Sequence, residues 1–224
     1  MIARAPRAES DLLRRKLSVP LPALLGVAPR MIEHPRVADV YPDFLFTSHC
    51  IIRASVPLME TARERAEKMA EGDAVAAALA GYLEEHIAEE LHHDEWLLDD
   101  LEVIGVPRAR VLARPPVPSV AALVGAQYYW VLHYHPVAVL GYVAVLEGYP
   151  PSLHLIDDLM ASTGYDASAF RTLRIHAELD PGHGAELDEL LDSLPLTREQ
   201  SAVIGLSGIH TVSALTRAYE EIIP

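Results

Sequence analysis

The sequence has a single cysteine, Cys50, and is poor in basic residues. One thiol excludes an internal disulfide framework and suits a reducing compartment. Lysine and arginine total 18 against 32 aspartate and glutamate residues, and the resulting net charge of −14 argues against a surface for nucleic acid or an anionic membrane. The first twenty residues include five basic residues and no continuous apolar run, so no secretory signal is indicated. We expect a cytoplasmic protein whose partner is a small molecule or another protein.

The sequence also lacks alternating segments typical of strands, and it has no internal repeat. Residues 115–146 contain no charged side chain and are long enough to span a bilayer. Because this stretch includes Gln127, His133, His135 and Pro136, we interpret it as a helix buried within a bundle and expect no membrane association. These features predict an all-α protein.

The positions of prolines, glycines and capping residues divide the chain into an N-terminal segment and a helical domain. Residues 1–39 include Pro20, Pro22, Pro29 and Pro35, which predicts an irregular or short-helical segment that packs on the bundle. Residues 40–224 form the helical domain, and its length fits one core. Helices are predicted over about 43–69, 74–102, 119–148, 152–162, 166–194 and 198–222.

The most informative motif is His176, Asp180 and His183. These residues stand at i, i+4 and i+7 of a predicted helix, so two imidazoles and a carboxylate share one face. That face also carries apolar residues such as Leu173 and Leu187, which indicates that it points towards a core. A buried carboxylate needs a partner, and a metal ion would provide one. A pair of core histidines hydrogen-bonded to Asp180 is the alternative.

Further candidate ligands lie on two other predicted helices. Glu85, Glu89 and His92 have the same i, i+4, i+7 spacing, although a solvated acidic face explains them as well. Glu147 is the only acid of the predicted 119–148 helix, so it is a candidate ligand if that helix is buried. The alternative interpretation is that Glu147 lies at the helix end and faces water.

Together these helices supply three imidazoles and three carboxylates. Two divalent cations would leave one positive charge for an anionic ligand such as a substrate carboxylate. Mixed histidine and carboxylate ligands from facing helices suit a pair of iron or manganese ions. The candidate metal ligands are Glu85, His92, Glu147, His176, Asp180 and His183.

These six residues, in this chain order, resemble the ligand set of the haem-oxygenase-like di-iron oxidases and oxygenases, also called iron-containing redox enzymes. The resemblance implies a TenA/PqqC-like helical bundle of about seven helices. It also implies two Fe²⁺ ions, dioxygen as co-substrate and an external electron donor, with manganese accepting the same ligands. The expected reaction is the oxidation of a small carboxylate- or amine-containing substrate, such as an amino acid or a fatty acid, in biosynthesis.

Several alternatives stay open at this point. A metal-free TenA/PqqC-like enzyme of the same fold would need a nucleophile or a cofactor pocket in place of metal ligands, and Cys50 is the only thiol. A haem oxygenase would need a proximal histidine, for which His34 and His49 are weak candidates, and a non-catalytic helical binding protein would need none of the histidines. Glu89 is an alternative or additional ligand to Glu85.

The surroundings of the site are less defined by the sequence. Arg53, Arg171 and Arg174 are candidates for binding a substrate carboxylate, and a homodimer is plausible from the apolar residues of the first and last helices. The residues considered for the substrate entrance are Tyr129, Trp130, His133 and Tyr134.

The helix that carries His176 is expected to have low stability around its three candidate metal ligands. Pro181 lacks a backbone N–H and crowds the preceding turn, and Gly182 and Gly184 lower helix propensity further. We therefore predict disorder or distortion around residues 176–184 in the metal-free protein.

Overall fold

The computed structural model describes residues 8–224, and every regular element in this range is helical. The first seven residues of the predicted 1–39 segment lie outside the described residues. Two short 3-10 helices cover Pro136–Ala138 and Ala167–Phe170. The α-helices are α1 (Glu9–Leu17), α2 (Leu21–Leu25), α3 (Val27–Ile32), α4 (Val37–Met69), α5 (Ala74–Glu90), α6 (His93–Val103), α7 (Arg108–Ala113), α8 (Pro118–His133), α9 (Val139–Leu146), α10 (Leu153–Thr163), α11 (Arg171–Ser193) and α12 (Arg198–Glu220).

The all-α prediction is confirmed, but the bundle has more helical segments than the seven expected. Two helices predicted as continuous are each broken. The predicted 74–102 helix divides at His92, whose φ of 71° lies in the left-handed region and ends the regular hydrogen-bonding pattern. The predicted 119–148 helix divides before Pro136, where His135 Nδ1 accepts a hydrogen bond from the backbone N–H of Val137.

The long helix α4 lies at the centre of the bundle. It packs against α5, α6 and α8, while α12 packs against α8 and α9 on the other side of the core. Tyr41, Leu45 and Leu58 of α4 are fully buried because its apolar stripe faces these neighbours. The short helix α1 packs against α11 and α12, which places it next to the helix that carries His176.

Side-chain caps fix where several helices begin. The Asp73 carboxylate accepts hydrogen bonds from the N–H groups of Val75 and Ala76 at the start of α5. Thr197 and Gln200 form the predicted capping box of α12. These caps set the registers in which α5 and α12 present their buried faces.

Helix α9 is buried on all sides and approaches α12 closely. A Cβ atom added at Gly141 would lie 2.2 Å from the carbonyl oxygen of Ile204 and 2.6 Å from the N–H nitrogen of Gly208. Only glycine permits this separation of the two backbones. The contact fixes the position of α9, and therefore of Glu147, which follows its last residue. None of the helices within residues 8–224 has the length and apolar character needed to cross a membrane.

Candidate metal centre

A group of histidine and carboxylate side chains meets between α5, α6, α9 and α11. Helix α5 contributes two of them, α6 contributes one, the C-terminal end of α9 contributes one, and α11 contributes three. We call these seven residues the cluster. Its members are His86, Glu90, His93, Glu147, His176, Asp180 and His183.

The first half of the cluster consists of His86, Glu147 and His183. One ligand atom from each lies within 4.8 Å of the others, and all three residues are buried. His86 Nε2 donates a hydrogen bond of 2.9 Å to Glu147 Oε1. The rings of His86 and His183 meet edge to face, with centroids 5.2 Å apart. This spacing and donor set would hold one divalent cation.

The second half consists of Glu90, His93, His176 and Asp180. His93 Nδ1 lies 3.1 Å from Glu90 Oε2, and His176 Nδ1 lies 3.0 Å from Asp180 Oδ1. The rings of His93 and His176 repeat the edge-to-face arrangement at 5.2 Å. Trp96 stacks on His93 with centroids 3.9 Å apart and covers this half of the cluster.

Several buried polar atoms of the cluster have no hydrogen-bond partner among the described residues. An unpaired buried donor or acceptor is costly, and such atoms are expected where a metal ion supplies the missing interaction. These atoms belong to both halves of the cluster. They are His86 Nδ1, Glu90 Oε1, Glu147 Oε2, His176 Nε2 and His183 Nδ1.

Two opposing effects set the pKa values of the cluster residues: burial disfavours their charged forms, and nearby groups of opposite charge favour them. Burial raises the pKa of Glu147 above its usual value, and the hydrogen bond from His86 offsets only part of this effect. Burial disfavours the charged form of His176, but the hydrogen bond and charge of Asp180 outweigh it and raise the pKa of His176. Burial acts on Glu90 too, yet the hydrogen bond from His93 and the nearby histidines lower its pKa.

The structure brings together four of the six sequence-predicted ligands. Glu147, His176, Asp180 and His183 belong to the cluster, whereas Glu85 and His92 are exposed and lie outside it. The reason is the register of α5. Its buried stripe continues through positions 79, 83, 86 and 90, and the left-handed residue 92 then places position 93 on the same side.

His86, Glu90 and His93 are therefore the cluster residues that the sequence interpretation did not include. A signal for two of them was present, because three and seven residues after Leu83 the apolar stripe of α5 reaches His86 and Glu90. Glu89, the proposed substitute for Glu85, lies at the edge of the cluster. Its half-exposed carboxylate is 3.7 Å from both His86 and His183.

A cavity of about 440 Å³ adjoins the cluster, a size typical of small-molecule sites. It reaches the surface between α2 and the segment before α10, where the exposed residues Leu25 and Ser152 line it. Four cluster residues line its buried end: Glu90, Glu147, His176 and Asp180. A ligand in the cavity would contact both halves of the cluster.

The cavity does not open where the sequence suggested. The candidate entrance residues on α8 do not line it, and Tyr129 is 64% exposed on the outer surface. Among residues 8–224, no arginine lines the cavity; Arg171 pairs with Asp99, and Arg174 pairs with Asp157. Cys50 is buried in the core and does not line the cavity either, so the one thiol is not available there as a nucleophile.

Helix α11 is continuous through Pro181. The proline lies inside the helix, between Asp180 and His183, where the missing N–H removes one hydrogen bond of the helix. Three ligand candidates therefore lie on a helix that its own sequence weakens.

Solved structures similar to this one share a single fold. A domain of unknown function with a heme oxygenase-like fold from Shewanella denitrificans superimposes with a TM-score of 0.80 at 17% identity, covering 95% of this chain and 90% of that chain. A CADD-like protein of unknown function from Nostoc punctiforme gives a TM-score of 0.69 at 17% identity, covering 96% and 97%. A TenA homologue from Pseudomonas syringae gives 0.65 at 12% identity, covering 92% and 91%. The chain therefore has the haem-oxygenase-like fold.

Sequence comparison places the chain more specifically. None of the curated proteins compared with the chain matches it. The sequence model of a family described as iron-containing redox enzyme matches residues 51–214, which include all seven cluster residues. The chain belongs to the family of iron-containing redox enzymes.

Proposed function

We propose that the protein is a non-haem di-iron oxidase or oxygenase that uses dioxygen to oxidise a small carboxylate- or amine-containing substrate in a biosynthetic reaction. The observation that carries the proposal is the pairing of two adjacent, largely buried histidine and carboxylate groups with unpartnered ligand atoms and a shared cavity. Membership of an iron-containing redox family supports iron as the metal. One structural ion would not need seven ligands.

In this proposal, each half of the cluster would bind one of the two ions. His86, Glu147 and His183 would hold one ion, and Glu90, His93 and His176 would hold the other. Asp180, one helical turn after His176, would be a further carboxylate ligand beside this second group. This set replaces Glu85 and His92, which the fold turns outward.

If these residues bind two Fe²⁺ ions, the chemistry supplied by the metal would be the reduction of dioxygen. The protein residues hold the ions and control access to them. Trp96 and Tyr82 stack on His93 and His86 and fix the orientation of those rings. Glu90 and Asp180 reach the cavity, so a substrate held there would lie against the ligand shell. The buried walls keep bulk water away from the reacting atoms.

An anaerobic titration of metal-free protein with Fe²⁺ tests the proposal. We expect two equivalents to bind per chain, followed by a transient visible absorbance band when the loaded protein is mixed with dioxygenated buffer in a stopped-flow instrument. The His183→Ala variant should bind fewer than two equivalents, because the ring contacts carboxylates from both halves. The matched variant His154→Ala changes an exposed histidine on α10 and should behave like the wild type. Failure of the wild type to bind Fe²⁺ stoichiometrically would contradict the proposal.

A further inference from the structure

Two neighbouring helices, α8 and α12, have long stretches without a charged side chain. Residues 118–133 of α8 and 201–216 of α12 include no aspartate, glutamate, lysine or arginine, although 22% of the chain is charged. A helix at the surface of a bundle normally carries charged residues on its outer side. The outer side of these two helices is therefore suited to contact something other than water.

Helices α8 and α12 lie side by side and run in opposite directions. Ser119 at the start of α8 donates a hydrogen bond to the carboxylate of Glu221, which follows the end of α12. Midway along α8, the buried amide of Gln127 accepts a hydrogen bond of 2.8 Å from Ser207 and donates one of 3.1 Å to Thr211. These contacts join the outer sides of the two helices into one surface, which we call the uncharged face.

Large apolar side chains make up much of the uncharged face. Tyr129 and Leu132 of α8 are 64% and 43% exposed, and Leu206 of α12 is 53% exposed. Between the helices, the rings of Trp130 and His210 meet edge to face with centroids 5.4 Å apart. Contiguous exposed apolar surface of this kind is unfavourable in water and marks an interaction site.

The charge of the protein favours a second copy of this chain as the partner. Each copy has a net charge of −14, so two copies repel where their acidic surfaces meet. At the uncharged face they can approach without bringing like charges into contact. The face also lacks the charged groups by which unlike proteins usually select each other. A two-fold symmetric contact needs no such selection, because the same surface serves both copies.

The sizes of the residues along α8 also suit a contact of this helix with itself. The first half of its exposed side carries Ala121 and Ala122, and the second half carries Tyr129 and Leu132. If the α8 helices of two copies pair antiparallel about a two-fold axis, the large half of each lies against the small half of the other. With the pairing centred at position 127, position 132 of one copy lies opposite position 122 of the other.

The uncharged face has the area that a stable dimer needs. Helix α8 has 16 residues, and a helix of this length is about 24 Å long. Two helices side by side are about 20 Å wide, so the face measures roughly 480 Å² in projection. Two copies in contact would bury about 1,000 Å² in projection, which reaches the range of specific interfaces before the relief of the side chains is added.

We propose that the protein forms a two-fold symmetric homodimer through the uncharged face, with the two α8 helices antiparallel. The sequence interpretation named the first and last helices for such a contact. The last of these, α12, keeps that role in the proposal, whereas α4 packs at the centre of the bundle. The proposal does not depend on the di-iron function, because no cluster residue lies on α8 or α12.

Analytical ultracentrifugation over a range of protein concentrations tests the proposal. The wild type should sediment with twice the mass of one chain and a dissociation constant of about 10 µM or lower. Leu132→Glu and Leu206→Glu each place a carboxylate at two points of the symmetric contact and should raise the dissociation constant about 100-fold or more. A wild type that remains a single chain at about 100 µM would overturn the proposal.

A matched variant separates the contact from a general effect of added charge. Leu112→Glu makes the same substitution at an exposed leucine of α7 and should leave the dissociation constant unchanged. All three leucines are exposed, so the variants should keep the fold, which circular dichroism measures. A dimer that persists in both Leu132→Glu and Leu206→Glu would place the contact elsewhere and contradict the proposal.

Mixing two variants tests the antiparallel arrangement. Ala122→Arg places a positive charge opposite position 132 and should also weaken the homodimer. An equimolar mixture of Ala122→Arg and Leu132→Glu should form mixed dimers at least about tenfold more tightly than either variant with itself, because the introduced charges then face each other. A mixture that associates no more than its two components would contradict this arrangement.

A lipid surface as the occupant of the uncharged face would give a different result. In that case the wild type would sediment as a single chain and would bind to phosphatidylcholine vesicles, and Leu132→Glu would release it from them. This outcome would overturn the dimer. We expect instead that the wild-type dimer does not bind these vesicles, because its apolar side chains are already covered.

Discussion

Glu90 Oε1 lies 3.7 Å from His183 Nδ1, and this approach joins the two halves of the cluster. Glu90 also contacts His93, and His183 also contacts Glu147, so the pair connects α5 and α6 to α9 and α11. Both atoms of the pair lack a hydrogen-bond partner among the described residues. The pair therefore places a carboxylate of the second half next to an imidazole of the first half, as the proposed di-iron function expects of two adjacent sites.

The register of α5 can be tested by substituting neighbouring residues. His86→Gln and His93→Gln remove buried imidazoles of the cluster, whereas Glu85→Gln and His92→Gln alter exposed side chains next to them. We expect the first two variants to lose about tenfold or more in Fe²⁺ affinity or to lose one equivalent, because a ligand is missing. The other two should bind like the wild type. Anaerobic titration followed by metal analysis measures both outcomes.

The opposite result would support Glu85 and His92, the residues predicted from the sequence, as the metal ligands. If Glu85→Gln and His92→Gln impaired binding while His86→Gln and His93→Gln did not, α5 would have to present its other face in solution. Circular dichroism of all four variants separates loss of a ligand from loss of the helix.

Metal binding should also stabilise α11. Pro181 removes one hydrogen bond from the turn that carries Asp180 and His183, and Gly182 and Gly184 add backbone freedom. We predict that amides in 176–184 exchange about tenfold or more slowly with solvent deuterium after anaerobic Fe²⁺ loading. Mass spectrometry of peptic fragments measures the difference.

Helix α12 provides the internal reference for this experiment. Its residues 203–212 are part of the core and do not contact the proposed ions, so their exchange should change little on loading. Equal protection of 176–184 with and without metal would contradict the expectation that this segment is weak.

Local sequence signals predict the fold class and the three cluster residues that lie on α11. His176, Asp180 and His183 could be identified because their spacing and the apolar stripe agree on one continuous helix. Helix starts at Asp73 and Thr197 could be identified because capping chemistry is local.

The cluster residues on α5 and α6 could not be predicted from residue spacing alone. Glu85 and His92 have the expected separation, but an i, i+7 relationship holds only within an unbroken helix, and His92 adopts a left-handed conformation that divides it. That conformation depends on the tertiary packing of α5 and α6 rather than on a glycine or proline signal. The cavity likewise depends on how α2, α4, α9 and α10 meet, which no single segment encodes.

The close approach of α9 and α12 predicts a strong effect at Gly141. Gly141→Ala would place a methyl group 2.2 Å from the carbonyl oxygen of Ile204, which is too close for backbone atoms that cannot rotate away. We expect a loss of about 3 kcal/mol or more in the free energy of unfolding. For a chain of this size, such a loss lowers Tm by about 6 °C or more.

Gly125→Ala is the matched control because it lies within α8 and has nothing within 4 Å of the added Cβ. It should be neutral or stabilising by up to about 1 kcal/mol, since alanine has the higher helix propensity. Thermal unfolding of both variants makes the comparison, and a similar Tm for the two would contradict the close contact.

Asp100 should make stability depend on pH in a direction opposite to that of most carboxylates. It is buried on α6, and burial raises its pKa even though it accepts a 3.0 Å hydrogen bond from the N–H of Thr172. Because the folded state then holds the proton more tightly than the unfolded state, the contribution of Asp100 to stability falls as the pH rises from its unfolded pKa of about 3.9. The loss is complete above its folded pKa.

Asp100→Asn removes this dependence while it keeps an oxygen that can accept the Thr172 N–H. The stability of the variant relative to the wild type should therefore increase between about pH 4 and pH 7. Urea unfolding of metal-free protein at constant ionic strength measures the difference. Glu64→Gln makes the same chemical change on the exposed side of α4 and should show a nearly flat difference over this range. A decrease in the relative stability of Asp100→Asn with rising pH would mean that the folded protein favours the ionised carboxylate.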